Sequence, residues 1–458
     1  MNNFNLTDEQ KDIVEPKRFS SAMIIANAGS GKTNTLVRRA INQTKGIKPW
    51  KNIAIISFTN KSAGDILKKV KELNGSKIIA MTFHSFLLHH VLAFNEYFRS
   101  QKILFDFNPD NSSSSLEEWL NNVIDRKIMT SSGMRSEKDY LFEYAIECLE
   151  KNEYIRKYLK TKFEAIYIDE AQDNNSLQYE IVKLFLSYGI QVVLAGDPQQ
   201  TIYEFRGASS EKFQSMRNNP HFKDRIYQLS RNFRCHSLID ACAKNYTIPQ
   251  ENSISCEDGT VYGVFVTKTA KTIVDKFSEE KFNNEGLCFL FWSTGKNQSI
   301  IEELDLVLVK LPNFIENQQD PQYQNYLDSL LRLYFSKSVE EVYFKDKFLS
   351  DIHTNIARKL IQDFKNNLCI DTLKSLNDHA GLINRSDFAE VIECINLDTT
   401  RQFYQLDKTQ NIAMTIHSAK GLEFRNVVLQ KNDFRNIGGS AKMFYVACTR
   451  AEKRLFFV

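Results

Sequence analysis

Long apolar runs are absent from this sequence. No run within its 458 residues approaches the ~20 residues that a helix needs to cross a bilayer, so we expect no membrane partner. The N-terminal stretch MNNFNLTDEQKDIVEPK is polar and acidic, which argues against a signal or transit peptide. Together these absences predict a soluble, cytoplasmic protein.

The sequence also lacks a large excess of positive or negative charge, because the net charge is only +3. The composition therefore does not indicate nucleic-acid binding, and any basic groove has to be local. Closely spaced cysteine pairs, which are typical of zinc sites, are missing as well: the eight cysteines include no Cys-x-x-Cys pair. We expect these cysteines to be reduced thiols, as is usual in the cytosol.

The sequence does contain a series of short apolar runs, each followed by a stretch with helical spacing. Such runs are typical of strands buried on both faces of a parallel sheet. In the first half of the chain they are AMIIAN (22–27), NIAIISF (52–58), KIIAMTF (77–83), FEAIYIDE (163–170) and GIQVVLAGD (189–197). They predict an α/β, doubly wound domain whose strand ends converge on one edge of the sheet.

Similar runs return later in the chain and predict a second α/β domain. They are TVYGVFV (260–266), LCFLFWS (287–293), NIAMTIH (411–417), NVVL (426–429) and RLFFV (454–458). Polar sequence with helical spacing interrupts both domains. We therefore expect a first domain formed by 1–92 and 163–230, a helical insertion at 93–162, a second domain formed by 231–305 and 401–458, and a reduced insertion at 306–400.

A glycine-rich turn follows the first apolar run. ANAGSGKT (26–33) has the spacing of a P-loop, with Ala26 at the place of the usual first glycine. In such a loop the backbone N–H groups turn towards phosphate oxygens, Lys32 reaches the β- and γ-phosphates, and the Thr33 hydroxyl binds Mg²⁺. The stretch predicts a nucleotide phosphate site.

A second candidate for phosphate chemistry is the end of the run IYIDEAQD (166–173), where two carboxylates are adjacent. Asp169 is predicted to hold Mg²⁺ through the coordination shell of the ion, and Glu170 to orient and deprotonate the attacking water. Taken alone, the pair could equally be a solvated strand end. Arg234 and Arg450 are candidates to stabilise charge on the transferred phosphoryl group, although either alone could be an ordinary ion-pair residue.

Nine motifs follow one another along nearly the whole chain: LTDEQ (6–10), ANAGSGKT, SFTNKSA (57–63), AMTFHSF (80–86), YIDEAQDNN (167–175), GDPQQTIYEFRGA (196–208), LSRNFR (229–234), MTIHSAKGLEF (414–424) and FYVACTRA (444–451). In type and order they resemble the superfamily 1 DNA helicases of the UvrD, PcrA and Rep type. The resemblance implies two RecA-like doubly wound motor domains with parallel sheets and small, mostly helical insertions.

The resemblance also implies ATP and Mg²⁺ as cofactors and gives roles to individual residues. Gln10 would read the adenine, Phe233 would stack on it, and Glu423 would approach the ribose. Gln200 would contact the γ-phosphate, Gln172 would couple the nucleotide to the motor, and Arg234 and Arg450 would act as arginine fingers across a cleft. The remaining expected ATP contacts are Ala28, Gly29, Ser30, Gly31, Lys32 and Thr33.

On the nucleic-acid side, the resemblance implies stacking of single-strand bases on Phe58, Tyr203 and Phe205. Thr59, His84, Arg206 and His417 would contact backbone or sugar. From the residues alone, the aromatic rings could instead belong to the core and the histidines could brace their loops. Phe205 stands where the family usually has Trp, which predicts weaker stacking.

The implied function is an ATP-dependent translocase or helicase that acts on single-stranded DNA or a tailed duplex, in the 3′-to-5′ direction. The short insertions leave an alternative open. The reduced plan is similar to the UvrD-like subunit of Gabija anti-phage systems, which assembles with a nuclease, so the chain could be a regulatory ATPase for a nuclease partner. A small-molecule P-loop kinase is excluded, because it would explain neither QQTIYEFRGA nor the later arginines.

Overall fold

The computed structural model describes residues 6–95, 98, 104–106, 113–126, 128–130, 139–248, 252–255, 261–278, 285–310, 321–335, 349, 353–380, 388–434 and 437–458. Its contacts divide the chain into two compact units. The described residues of the first unit come from the ranges 1–103, 109–246 and 436–449, and those of the second from 104–108, 247–435 and 450–458. Parts of both expected insertions fall outside the described residues, and the domain boundaries stay a prediction.

The strands are β1 (Ala22–Ala26), β2 (Asn52–Ser57), β3 (Ile78–Thr82), β4 (Leu104–Asp106), β5 (Ile128–Thr130), β6 (Phe163–Ile168), β7 (Gln191–Gly196), β8 (Ile226–Leu229), β9 (Asn252–Ser255), β10 (Val261–Val266), β11 (Leu287–Phe291), β12 (Val307–Leu308), β13 (Ile412–Thr415), β14 (Phe424–Leu429) and β15 (Ala451–Phe457).

The helices are α1 (Asp8–Val14), α2 (Lys32–Thr44), α3 (Asn60–Glu72), α4 (Phe83–His90), α5 (Leu116–Asn121), α6 (Tyr140–Lys151), α7 (Glu153–Lys162), α8 (Ser176–Ser187), α9 (Ser210–Ser215), α10 (Ser237–Asn245), α11 (Ala270–Phe277), α12 (Gln298–Glu303), α13 (Pro321–Phe335), α14 (Thr354–Asn366), α15 (Ile370–Ala380), α16 (Phe388–Asn396), α17 (Asp398–Tyr404), α18 (Ile416–Ala419) and α19 (Ile437–Cys448). Short 3-10 turns at Ala171–Asp173, Pro198–Gln200 and Glu204–Arg206 follow two of the strands of the first unit.

The first unit is built on a six-stranded sheet in the order β3-β2-β6-β7-β1-β8. All of its strand pairs are parallel. Its strands carry continuous apolar runs because helices cover both faces, and β2 and β7 are buried at every position after the first. One core cluster joins Val37 of α2 and Ile66 of α3 to Ile24, Ile55 and Val193 of the sheet.

The second unit contains a seven-stranded sheet in the order β12-β13-β11-β14-β15-β10-β9. Its pairs are parallel except for the edge pair of β9 with β10. A cluster that includes Phe289, Ala413, Val428 and Phe456 covers one face. Helices α13 to α17 surround a separate apolar cluster, to which Leu330, Ile361, Leu373 and Val391 contribute. The α/β fold class with two mostly parallel sheets is confirmed.

Helix α19 follows the second sheet's strand β14 in sequence, yet its described residues belong to the first unit. Its side chains Phe444, Tyr445 and Val446 are fully buried there. Among the described residues, no helix has both the length and the apolar character needed to span a membrane.

Candidate active site

Three neighbouring strands of the first sheet end on one edge, and each is followed by polar residues. Strand β7 lies between β6 and β1, and Ile25 of β1 is opposite Gly196 of β7. Because the strands are parallel, the P-loop, the pair Asp169 and Glu170, and Asp197 emerge at the same edge. We call residues 26–33, 169–173 and 197–200 the nucleotide edge.

The shape of the P-loop depends on its glycines. Gly29 and Gly31 have φ of +71° and +77°, in the left-handed region that favours glycine. A Cβ on Gly29 would lie 2.4 Å from Oδ1 of Asn232, and the Gly29 carbonyl accepts a hydrogen bond from the Phe233 N–H at 2.9 Å. The loop is therefore packed closely against the LSRNFR motif.

Lys32 lies between the two carboxylates that the sequence pairs with it. Its Nζ is 2.7 Å from Oε2 of Glu170 and 3.5 Å from Oδ1 of Asp169. Burial alone would lower the pKa of Lys32, but the negative charges of Glu170 and Asp169 raise it above its ordinary value. Lys32 is thus a fixed positive charge at the nucleotide edge.

The residues expected to hold Mg²⁺ are in contact. The Thr33 hydroxyl donates to Oδ2 of Asp169 at 2.7 Å. A hydroxyl and a carboxylate oxygen are ligand types that Mg²⁺ prefers. Burial raises the pKa of Asp169, and the positive charge of Lys32 opposes this rise. A nearby cation would therefore stabilise the charged form of this buried carboxylate. The donor set therefore fits Mg²⁺, with Thr33 and Asp169 as the residues that would hold it.

Glu170 is held in an uncommon backbone conformation, with φ of +54°. A non-glycine residue in this left-handed region is strained by ~1–3 kcal/mol. Its carboxylate accepts a hydrogen bond from Nε2 of Gln172 at 2.6 Å, and Gln172 is fully buried. The backbone and Gln172 together fix the direction of the Glu170 carboxylate, which a general base requires.

Asp197 connects the two glutamines of the nucleotide edge. Its N–H donates to Oε1 of Gln172 at 3.0 Å, and its Oδ2 accepts from Nε2 of Gln200 at 2.7 Å. Burial raises the pKa of Asp197, while the hydrogen bonds that its carboxylate accepts from Gln200 and from the Gln199 N–H favour its charged form. Gln200, the expected γ-phosphate contact, is therefore anchored by a buried carboxylate that the sequence analysis did not single out.

Gln10 forms a capping box at the start of α1. Its side-chain oxygen accepts from the Thr7 N–H at 3.1 Å, and its Nε2 donates to the Ser30 carbonyl at 3.3 Å. Arg39 fixes α1 in place by donating to the Ile13 carbonyl at 2.6 Å. Gln10 thus lies against the P-loop, and its side-chain amide would have to bind adenine in addition to Thr7 and Ser30. The adenine role stays a prediction.

Phe233 and Arg234 lie next to the P-loop in the first unit. The ring of Phe233 is exposed, and the Arg231 guanidinium lies 5.1 Å from its centroid. An exposed ring is available for stacking. Nη1 of Arg234 donates to the Thr449 carbonyl at 3.3 Å. The arginine-finger and adenine-stacking roles are not tested by these contacts.

The second unit carries the remaining expected nucleotide residues. Arg450 is buried, and its Nη1 donates to the Leu422 carbonyl at 3.1 Å. Glu423 follows Leu422 directly, just before β14. His417, which was expected to contact DNA, is in the short helix α18 of the same unit, after β13. The contact of Arg450 with Leu422 therefore places the expected finger beside the expected ribose residue within this unit.

The three aromatic residues expected to stack on DNA bases form one series in the first unit. The rings of Phe58 and Tyr203 are stacked with centroids 5.1 Å apart, and those of Tyr203 and Phe205 are 6.2 Å apart. Phe205 is the most exposed, at 58%. We call these three residues the aromatic surface. Arg206 ends the same turn, but its side chain lies outside the described part of the structure.

Thr59 and His84 have structural partners beside this surface. The Thr59 hydroxyl caps α3 by accepting from the Ser62 N–H at 3.1 Å. Nε2 of His84 is 3.6 Å from Oδ2 of Asp139, and its ring meets the edge of Phe142 at 4.9 Å. These contacts fit the bracing role that the sequence left open for His84, and DNA contact stays a prediction for both residues.

Two family models match the chain. The UvrD/REP helicase N-terminal domain matches residues 6–135 and 134–221, and the UvrD-like helicase C-terminal domain matches residues 412–458. The chain belongs to the UvrD-like helicase family. The resemblance inferred from the nine motifs is thereby confirmed.

Among curated relatives, this UvrD-like chain is similar to the Gabija protein GajB of Bacillus cereus (strain VD045), with 26% identity over 96% of the chain and 93% of the relative. It is also 26% identical to the ATP-dependent DNA helicase Rep of Buchnera aphidicola, over 61% of the chain and 50% of Rep. The ATP-dependent DNA helicase PcrA of Staphylococcus aureus (strain Mu50) is 26% identical over 51% of the chain and 39% of PcrA. The chain thus matches half or less of Rep and PcrA, but nearly all of GajB.

Two polar side chains of this UvrD-like fold, Ser57 and Asn174, were not identified from the sequence as candidate site residues. A cavity of about 270 Å³ is lined by Phe58, His84 and Asp169 together with Ser57 and Asn174. The Ser57 hydroxyl and Nδ2 of Asn174 are buried and have no hydrogen-bond partner among the described residues. Ser57 directly precedes Phe58 in SFTNKSA, and Asn174 shares the motif YIDEAQDNN with Asp169. These positions were the available signal.

Proposed function

We propose that this UvrD-like chain is an ATP-dependent translocase or helicase acting on single-stranded DNA, with tailed duplex as the substrate for unwinding. The observation that carries the proposal is the nucleotide edge. There Lys32 is paired with Glu170 and lies near Asp169, and Thr33 is hydrogen-bonded to Asp169. This arrangement supplies a positive charge, a metal-holding pair and a base in one place.

In the proposed reaction each residue has one task. Lys32 and the P-loop N–H groups bind and orient the phosphates. Glu170 orients a water and accepts its proton, and Gln172 keeps the Glu170 carboxylate directed. When bound, Mg²⁺ would neutralise phosphate charge, held by Thr33 and Asp169. Gln200 would contact the γ-phosphate from its anchor on Asp197, and Arg234 and Arg450 would stabilise the charge on the transferred group.

The DNA side of the proposal rests on the aromatic surface. Stacking on aromatic rings tolerates any base and contributes ~1–3 kcal/mol per base, which suits a motor that steps along arbitrary sequence. The exposed ring of Phe205 ends a series that begins at the half-buried ring of Phe58. Movement in the 3′-to-5′ direction is proposed from the family resemblance.

A second candidate function is favoured by the length of the match to GajB, which covers 93% of that protein. We propose as the alternative that the chain is a DNA-stimulated regulatory ATPase controlling a nuclease partner in anti-phage defence. The two functions share the nucleotide edge and differ in whether the chain unwinds DNA by itself.

The test is ATP turnover by the purified chain with and without single-stranded DNA. We expect single-stranded DNA to stimulate ATP turnover. A turnover rate that is the same with and without DNA would contradict both functions. Unwinding of a tailed duplex by substoichiometric chain supports the motor. DNA-stimulated turnover without unwinding, together with recovery of a nuclease when the chain is purified from its host, supports the regulatory subunit.

A further inference from the structure

Tyr445 of α19 joins two parts of the nucleotide edge that are far apart in sequence. Its side chain is 0% exposed. Its hydroxyl oxygen accepts a hydrogen bond from the Ala28 N–H at 3.1 Å, and it donates to Oδ2 of Asp197 at 3.4 Å. One hydroxyl thus connects the P-loop backbone with the carboxylate that anchors Gln200.

The direction of each hydrogen bond follows from the groups involved. The backbone N–H of Ala28 can only donate, and an ionised Asp197 can only accept. A hydroxyl does both, so Tyr445 fits between them where phenylalanine does not. Burial and the Asp197 carboxylate raise the pKa of Tyr445, which keeps the proton on the hydroxyl at neutral pH.

The position of Tyr445 is set by contacts on both sides of it along the chain. One turn earlier, Lys442 pairs with Glu204 and donates to the Ser210 hydroxyl at 3.1 Å. Just after α19, the Thr449 carbonyl accepts from Arg234 at 3.3 Å. All of these residues belong to the first unit, so these contacts hold the helix within that unit.

We infer that Tyr445 is a positioning residue for ATP hydrolysis, whose hydroxyl holds the P-loop at Ala28 and directs Gln200 through Asp197. The inference rests on the proposed ATPase function. Asp197 is buried and receives hydrogen bonds from both Tyr445 and Gln200 on the same oxygen, Oδ2. Loss of the Tyr445 donor therefore changes the carboxylate oxygen that accepts a hydrogen bond from the Gln200 amide.

The test is the substitution Tyr445→Phe, which removes one oxygen atom. We expect kcat for ATP to fall about ten- to hundredfold, with KM nearly unchanged, because the loss is one of orientation and not of binding. The matched control is Tyr167→Phe. Tyr167 is also 0% exposed and donates to Oε1 of Gln43 at 2.7 Å, so it loses a buried hydroxyl away from the P-loop and should keep its kcat.

A second readout is independent of turnover: hydrogen exchange of the peptide covering residues 26–33 in the nucleotide-free chain. Tyr445→Phe should accelerate it, and Tyr167→Phe should not. Unchanged exchange in Tyr445→Phe, or equal changes of kcat in both variants, would overturn the inference. If the wild-type chain fails to hydrolyse ATP, the proposed function fails, while the exchange comparison still decides whether Tyr445 holds the loop.

Discussion

At the nucleotide edge, the side chains of Lys32 and Asp169 are only 10% and 4% exposed and lie within an ion-pair network, whereas on the aromatic surface Phe205 exposes 58% of its area. Both regions belong to the first unit. Buried charges depend on one another, because each loses its water and needs a partner. An exposed ring contributes little to folding and is available to a ligand. Substitutions in the two regions should therefore have separable effects.

The largest effect is expected at the nucleotide edge, from Glu170→Gln. The amide keeps the size of the side chain but cannot accept the proton of water, so kcat for ATP should fall about 10²–10⁴-fold. ATP binding should persist, since Lys32 and Thr33 remain. Steady-state turnover and titration with a fluorescent ATP analogue measure the two quantities.

Glu164→Gln is the matched control, because Glu164 lies on the same strand, β6, and pairs with Lys51 at 2.9 Å, away from the nucleotide edge. DNA-stimulated turnover near the wild-type rate in Glu170→Gln would remove Glu170 as the base.

An intermediate effect is expected on the aromatic surface, from Phe205→Ala. Loss of one stacking ring, at ~1–3 kcal/mol per base, predicts about five- to hundredfold weaker binding of single-stranded DNA. Basal ATP turnover should not change. Fluorescence anisotropy with a labelled oligonucleotide and turnover without DNA provide the two measurements.

Trp50→Ala serves as the control, because Trp50 is equally exposed, at 58%. It precedes β2, whereas Phe58 of the aromatic surface follows the opposite end of that strand. If Phe205→Ala lowered basal and DNA-stimulated turnover by the same factor, the ring would have a role in the fold, and the contrast between the regions would be lost.

The smallest effect concerns pH and the helices beside the aromatic surface. His90 of α4 is hydrogen-bonded to the Tyr158 hydroxyl at 3.0 Å. Burial, with help from His89 and Lys162, lowers the pKa of His90 from 6.5 to about 4. Below pH 6.5 the unfolded chain binds a proton that the folded chain does not, so stability falls as the pH drops towards 4.

Because His90 is partly exposed, the loss should not exceed about 1–2 kcal/mol after screening by solvent. Urea unfolding at pH 7 and pH 5 measures it. His90→Gln should reduce the difference between the two pH values, whereas the same change at the exposed His221 should not. An identical pH dependence in His90→Gln and the wild type would contradict the assignment.

Local patterns predicted much of the first unit. Each apolar run of the first half became a strand, and the P-loop and DEAQD motifs emerged at one edge because parallel strands require it. The capping box of Thr7 and Gln10 is also readable from the sequence, since its two residues are three apart. Such features depend on neighbours in the chain.

Features that depend on distant residues were not predictable. Ala28 and Tyr445 are separated by 417 positions, and no spacing rule links a P-loop amide to a tyrosine so far along the chain. Likewise, the membership of α19 in the first unit follows from burial against residues of that unit, which its own apolar character does not reveal. Within the described part of the chain, Ser57 and Asn174 each have a buried polar atom without a hydrogen-bond partner, and this became visible only with the cavity that they line.

Gly29 has a consequence for how the gene tolerates mutation. Its Cβ position is filled by Asn232 and by Arg234, the latter at 2.7 Å. Variants with a larger residue at position 29 should therefore fold poorly, and they would be lost even in cells that require only the folded protein and not its activity. Among the described residues, and apart from the backbone of α3 itself, no atom lies within 4 Å of the Cβ position of Gly64, so this position would accept alanine. Intolerance of substitution at Gly29 thus reflects the packing within the loop as much as the binding of a ligand.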